Sequence, residues 1–190
     1  MFHQDVTLEN EAVLLRMIRL SDAEGLAAIS GDAELWSFFV SDLSREQAMK
    51  EWVEEALLQK EQQIRLPFVI IDKKNNTIAG CTSYGNIAPR DKRLEIGWTW
   101  LGKKFQRTGL NRHCKYLLLS HAFDTLQCER VEFKTDVLNR QSRAALRKIG
   151  AVEEGVLRSH MVMPGNRRRD SVYYSILRTE WAEMKPSFLK

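Results

Sequence analysis

Gln106-Arg107-Thr108-Gly109-Leu110-Asn111 decides the fold, because a strand runs into it and a helix runs out of it. Upstream, Arg93 to Leu101 alternates as a strand does, with Leu94, Ile96, Trp98 and Trp100 on one face and Glu95, Gly97, Thr99 and Leu101 on the other. Downstream, Leu110, Cys114, Leu117, Leu118 and His121 recur at helical spacing in a run that reaches Leu126. The first turn of a helix has unpaired N–H donors and the positive end of the helix dipole, so an anion is favoured there. Lys103, Lys104, Arg107 and Arg112 add cations on both sides. The segment reads as a place where backbone N–H groups converge on a phosphate.

Working outward, Val13 to Leu20 reads as a first strand. Ser21-Asp-Ala-Glu24 and Ser44-Arg-Glu-Gln47 have capping-box spacing and open two helices. In the second, Ala48, Met49, Trp52, Val53, Ala56 and Leu57 recur at helical spacing. The aromatic knot Leu35 to Val40 lies between them. Pro67 to Asp72 and Ile78 to Tyr84 read as a hairpin. Beyond the loop helix, Arg130 to Val137 reads as a strand, and Asn139 caps a short helix that stops at Gly150. Ala151 to Met163 and Arg167 to Leu177 form a terminal hairpin around Pro164-Gly-Asn166. Two helices after the first strand, then strands alternating with helices, call for a mixed sheet covered on both faces.

The 190 residues suit one domain, 1–190, with its core over about 13–181. A 44% hydrophobic and 28% charged composition is that of a soluble globular chain. Met1 to Asp5 lacks the cationic and apolar run of a leader, and no apolar stretch is long enough to span a bilayer. Cys81, Cys114 and Cys128 are odd in number without CxxC spacing, which suits a reduced, cytoplasmic chain. With His3, His113, His121 and His160 they form no metal-ligand pattern, so no metal is expected. A net charge of +4 suits a polyphosphate ligand. It also suits nucleic acid, though no basic arm, zinc-finger spacing or aromatic RNA-binding motif supports that reading.

The quoted loop resembles the Gln/Arg-x-x-Gly-x-Gly/Ala pyrophosphate loop of the GNAT superfamily of N-acetyltransferases. Two further segments join it in the family's order. Asn139-Arg-Gln-Ser142 with Lys148-Ile-Gly-Ala151 is similar to the family's Asn-x-x-Ser/Ala and Lys-x-Gly-Phe elements. Glu154 to Arg158, leading into Arg169-Asp170 and Tyr173 to Leu177, resembles the branch of Rim-type ribosomal-protein N-terminal acetyltransferases. The resemblance implies an α/β fold with a central mixed, mostly antiparallel sheet of about seven strands. Its fourth and fifth strands splay, and helices lie on both faces. Three positions depart from the pattern. Asn111 replaces the loop's last small residue, Leu146 stands where many members carry an acidic-proton-donating tyrosine, and Ala151 replaces the usual phenylalanine.

Acetyl-CoA is the implied cofactor, with CoA as product. The resemblance assigns its pyrophosphate to the backbone N–H groups of Arg107, Thr108, Gly109, Leu110 and Asn111, counts Gln106 and Arg112 among the cofactor-binding residues, and places the pantetheine arm in the opening beside Trp100, Leu101, Asn139 and Ser142. A backbone N–H near Trp100 or Leu101 polarises the thioester carbonyl. An amine acceptor is largely protonated at neutral pH and needs a base. Glu95, eleven residues before Gln106, is the candidate, ahead of Glu132 and Asp136. Ser142 is the candidate that returns a proton to the thiolate or hydrogen-bonds the sulfur, with Tyr173 or Tyr174 as substitutes. Trp36, Phe38 and Phe39 either line the acceptor pocket or anchor their segment, Cys114 is read as core and His113 as exposed.

The expected activity is acetyl transfer by direct attack to a primary amine, either a protein N-terminal α-amine or a small molecule. The expected chain is a monomer or homodimer, with ribosome association as a partner class and no membrane. A non-catalytic acyl-CoA-binding module is the competing reading. Arg167-Arg168-Arg169 is either a solvated hairpin tip or a docking point for an acidic peptide or RNA.

Overall fold

One eight-stranded sheet organises the computed structural model, which describes residues 5–189. Met1 to Gln4, with most of the stretch read as lacking a leader, lie outside the described residues. The strands are β1 (Thr7–Glu9), β2 (Val13–Met17), β3 (Leu66–Asp72), β4 (Thr77–Ala88), β5 (Arg93–Leu101), β6 (Arg130–Asp136), β7 (Val152–Val162) and β8 (Arg168–Leu177). The helices are α1 (Ala23–Ser30), α2 (Glu46–Glu61), α3 (Leu110–Ser120), α4 (Arg140–Lys148) and α5 (Arg178–Met184). The sheet order is β1-β2-β3-β4-β5-β6-β8-β7. The short β1 and helix α5 are additions to the elements read from the sequence, so the fourth and fifth strands counted from Val13 are β5 and β6.

Every neighbouring pair is antiparallel except β5 and β6, which run parallel and pair only at Arg93–Glu95 with Arg130–Glu132. Beyond those residues the two strands part. A parallel pair needs a crossover, and α3 supplies it. One apolar cluster buries the α3, α4 and α5 face, with Phe68, Tyr84, Leu94, Ile96, Leu118, Phe133, Tyr174 and Trp181 at its centre. A second packs α1 and α2 on the other face through Leu26, Trp36, Met49, Val53, Val69 and Trp100. No residue of β6, β7 or β8 belongs to that second cluster, so this part of the sheet presents polar side chains instead.

Two local readings are corrected by the structure. The capping boxes do not form at the helix starts: Asp22 takes Arg16 and the N–H of Arg19, and Gln47 bonds Glu51 at 2.8 Å, while α2 starts after Arg45 without a side-chain cap. The alternation of β5 also breaks. Between Cys81 and Ser83 the register with β4 slips, so Cys81 faces Trp100 but Ser83 faces Gly97, and Trp98 takes the left-handed φ of 52°. This bulge returns Trp98 and Trp100 to the face of Glu95. The Trp98 ring lies over Gly85, the strand partner of Glu95, while Leu94 and Ile96 point into the α3 core. The expectation that Glu95 opposes the two tryptophans is therefore wrong.

Candidate functional site

The quoted loop forms the start of α3. Phe105, Thr108 and Gly109 shape it: Thr108 Oγ1 donates to the Phe105 carbonyl at 2.7 Å, and Gln106 Nε2 to the Leu101 carbonyl at 3.1 Å. Arg107 and Gly109 both take left-handed φ, 61° and 91°. Space is open where a Gly109 side chain would project, so the glycine serves the backbone turn and leaves room above it. The backbone N–H groups of Arg107, Thr108, Gly109 and Asn111 make no hydrogen bond with a described residue. Four donors within five residues, interrupted by the Leu110 N–H on Thr108 Oγ1 at 3.4 Å, form a donor set at the helix start that suits a pyrophosphate. The nearby cations are partly engaged elsewhere, since Lys103 pairs with Asp32 at 2.8 Å and the Arg112 guanidinium lies 5.8 Å from the Phe188 ring.

From this loop the fork between β5 and β6 opens. Trp100 and Leu101 pair with Cys81 and Gly80 of β4, and their other edge has no strand partner. At the crotch stands Glu95, 3% exposed. Its Oε2 receives Asn86 Nδ2 at 2.6 Å from β4 and lies 3.3 Å from Lys134 Nζ on β6. Asn86 reaches it from a second bulge, at φ 46°, a conformation that asparagine tolerates. Oε1 has no hydrogen-bond partner among the described residues and lies over Gly97.

The opposite side of the fork holds an unexpected cation. Lys115 is 5% exposed on α3; its Nζ donates to Thr99 Oγ1 at 2.9 Å and lies 5.8 Å from the Phe133 ring. Thr99 in turn shares a 2.8 Å hydrogen bond with Thr82, which ties the bulge to β4. Burial pulls the Lys115 pKa down to about 8. The sequence reading missed Lys115, although a lysine between Cys114 and Leu118 on an apolar helix stripe was the signal. It also missed Asn86 and Lys134, which converge on Glu95 only through strand pairing.

The remaining candidates separate by face. Asn139 Oδ1 accepts the Ser142 N–H at 2.9 Å, so it caps α4 as read, and the half-buried Ser142 hydroxyl has no partner among the described residues. Tyr174 is buried on the α4 side and held by Glu153 at 2.7 Å and Arg143 at 3.2 Å. Tyr173 lies on the Glu95 face instead, with its ring 5.8 Å from Lys134 Nζ. Glu132 is engaged by Arg130 at 2.9 Å and Asp136 by Arg167 at 2.6 Å. Trp36 is an anchor, buried against Trp100 with its N–H on the Ser30 carbonyl. His113 is half-buried rather than exposed. Among the described residues no group of three or more His, Cys, Asp or Glu is arranged to hold a metal, and no helix is long and apolar enough to cross a membrane.

The sequence that builds this fork, its donor-rich loop and its buried carboxylate falls within a known family. The model of the acetyltransferase (GNAT) domain covers residues 12–152. The chain belongs to the GNAT superfamily. It is similar to the Bacillus subtilis (strain 168) protein named "Putative ribosomal N-acetyltransferase YdaF", with 30% identity over 90% of this chain and 94% of that one. A GCN5-related N-acetyltransferase from Brucella melitensis superposes with a TM-score of 0.91 at 25% identity, over 99% of this chain and 86% of the other. The ribosomal-protein-S5-alanine acetyltransferase of Vibrio fischeri shares the fold, with a TM-score of 0.75 at 21% identity over 93% and 99% of the two chains. The resemblance to the Rim-type branch stands beside these matches. As a GNAT protein, the chain is an acetyl-CoA-dependent acyltransferase.

Proposed function

We propose that this acyltransferase acetylates a primary amine that docks on the Glu95 face of the fork, by direct transfer from acetyl-CoA. The single observation that carries this reading is Glu95 itself: a buried carboxylate with one oxygen held by Asn86 and Lys134 and the other without a partner among the described residues. The unpaired N–H groups of Arg107, Thr108, Gly109 and Asn111 suit the pyrophosphate, and the unpaired edge beyond Glu95 suits the pantetheine arm. Bound there, acetyl-CoA supplies an activated thioester.

The chain's own residues then have separable tasks. Glu95 Oε1 takes the proton of the incoming ammonium, directly or through water, and frees the nitrogen lone pair. The edge N–H groups near Trp100 and Leu101 receive the carbonyl oxygen as its charge grows. With acetyl-CoA bound, Ser142 would relay a proton to the sulfur released as the amine nitrogen takes the acetyl group, with Tyr173 on the Glu95 face as the substitute. Direct transfer fits the cysteines: Cys81, Cys114 and Cys128 are all buried, and burial pushes each thiol upward, away from the nucleophilic thiolate. The three free thiols also suit a cytoplasmic setting. A protein N-terminal α-amine is the favoured acceptor class, because the curated relative is named for ribosomal N-acetylation. One continuous sheet from Thr7 to Leu177 supports reading the chain as one acetyltransferase domain.

The test is acetyl-CoA-dependent thiol release with N-terminal peptides, polyamines and aminoglycosides. Glu95→Gln is expected to lower kcat/KM for the best acceptor by roughly 100-fold or more while CoA affinity by calorimetry holds. Bound CoA with no turnover of any amine would favour the non-catalytic module.

A further inference from the structure

Two arginines on the face of Glu95 are buried without a counter-ion. Arg169 is 6% exposed; its side chain makes no hydrogen bond or ion pair with a described residue and leaves Nε orphaned in the interior. Strand alternation puts it with Ser171 and Tyr173, and Asp136, Glu95, Arg167 and Tyr173 lie within its electrostatic reach. Neither carboxylate serves as its partner. Asp136 Oδ2 accepts from Arg167 at 2.6 Å and its Oδ1 from the Leu138 N–H at 2.9 Å, and Glu95 Oε2 is held by Asn86 and Lys134. Arg65 repeats the pattern on the other flank. It is 2% exposed, donates Nε to Ser83 at 2.8 Å, lies 4.6 Å and 4.8 Å from the Trp52 and Trp98 rings, and leaves one Nη buried without an acceptor.

A guanidinium taken out of water without a partner is costly, and its planar fork matches a carboxylate. The Arg167 to Arg169 segment is thus not three equivalent solvated cations. Arg167 holds Asp136, Arg168 bonds Ser159, and Arg169 alone is buried with its donors vacant. We propose that the acceptor is an amine bearing a carboxylate, and that Arg169 receives this carboxylate while the nitrogen faces Glu95. This specificity rests on the reading of Glu95 as the site of the incoming amine.

Matched acceptors test it. Peptides beginning with glutamate or glutamine form one arm, and free glutamate with its α-amide the other; the arms distinguish a side-chain carboxylate from an α-carboxylate. In at least one arm the acid is expected to exceed its amide in kcat/KM by about tenfold or more. Arg169→Gln brings that ratio near parity, Arg169→Lys lowers it less because it keeps charge without the fork, and the exposed control Arg168→Gln preserves it. Parity in the wild-type protein in both arms overturns the proposal. So does an Arg169→Gln or Arg169→Lys variant that keeps the full ratio. A readout without turnover separates the two ideas: CoA-loaded protein binds glutarate but not glutaramide by NMR titration, and Arg169→Gln or Arg169→Lys weakens that binding. Selective glutarate binding with no amine acetylated keeps the anion site and defeats the catalytic reading; absent glutarate binding defeats the site.

Discussion

At the residue scale, the absence of a side chain at position 97 governs the base. A Cβ built on Gly97 would sit 2.9 Å from Glu95 Oε1, the oxygen without a partner. The atom it meets is the end of a flexible side chain, so Gly97→Ala costs little stability but displaces the carboxylate from the fork. A fall in kcat of about tenfold, with a thermal midpoint within a few degrees of wild type, is expected. Unchanged kcat would count against Oε1 as the proton acceptor. At the cofactor loop, Gly109→Trp is expected to weaken CoA binding by about tenfold or more, since it puts a bulky residue at φ 91° in space now open above the unpaired N–H groups. Calorimetry with CoA measures this, and unchanged affinity would remove the loop assignment. Both glycines were legible as sequence, but only Gly109 was legible as function. The hexapeptide carries its own geometry in consecutive residues, whereas the role of Gly97 exists only because Glu95 folds back over it.

At the element scale, the fork is where sequence reading succeeded in outline and failed in detail. Strand, loop and helix were readable because hydrophobic periods of two and 3.6 residues survive in one dimension. The bulge at Trp98 was not, because it arises from the register between β4 and β5, and a slipped register reverses every later side chain. Asn86 and Lys134 were hidden for the same reason. Lys115 shows what the fork costs. Its pKa of about 8 in the folded protein lies below the ordinary lysine value of 10.5, with burial as the first cause. Between these values the unfolded chain holds a proton that the folded chain has released, so stability rises with pH across that window. The burial penalty is fully present below pH 8 and is relieved as pH approaches 10.5. Lys115→Met, similar in shape and uncharged, is therefore expected to be more stable at pH 7 by about 1 kcal/mol or more, and to lose the rise above pH 8. Urea denaturation of both proteins at pH 7 and pH 10 decides the point; parallel pH dependence would mean that Lys115 does not bear this penalty.

At the scale of the whole molecule, the C-terminal segment braces the helix that begins at the cofactor loop. The sequence placed the end of the core near Trp181 without assigning α5, since a seven-residue helix carries too few turns for a clear period. In the structure Trp181 is 2% exposed and packs against Phe123, Phe188 and Tyr116, with ring centroids 6.2, 5.1 and 5.9 Å away. Tyr116 lies on α3 itself, and Phe123 in the π-helical turn that continues it, so this aromatic group joins the chain's last elements to the cofactor helix. The indole N–H is buried without an acceptor, so its polarity opposes the stabilisation from the ring's area. Two substitutions separate these terms. Trp181→Ala removes the ring and opens a cavity, with an expected loss of about 3–5 kcal/mol, a large share of the ~5–15 kcal/mol that holds a typical domain folded. Trp181→Phe keeps most of the aromatic packing and deletes the orphaned donor, so its expected loss is smaller, about 1 kcal/mol or less. Urea unfolding followed by circular dichroism measures both losses. Equal losses for the two variants would mean that the indole's full shape, rather than apolar area set against a stranded N–H, governs the brace; a loss below about 1 kcal/mol for Trp181→Ala would mean that the C-terminal segment contributes little to holding α3 in place.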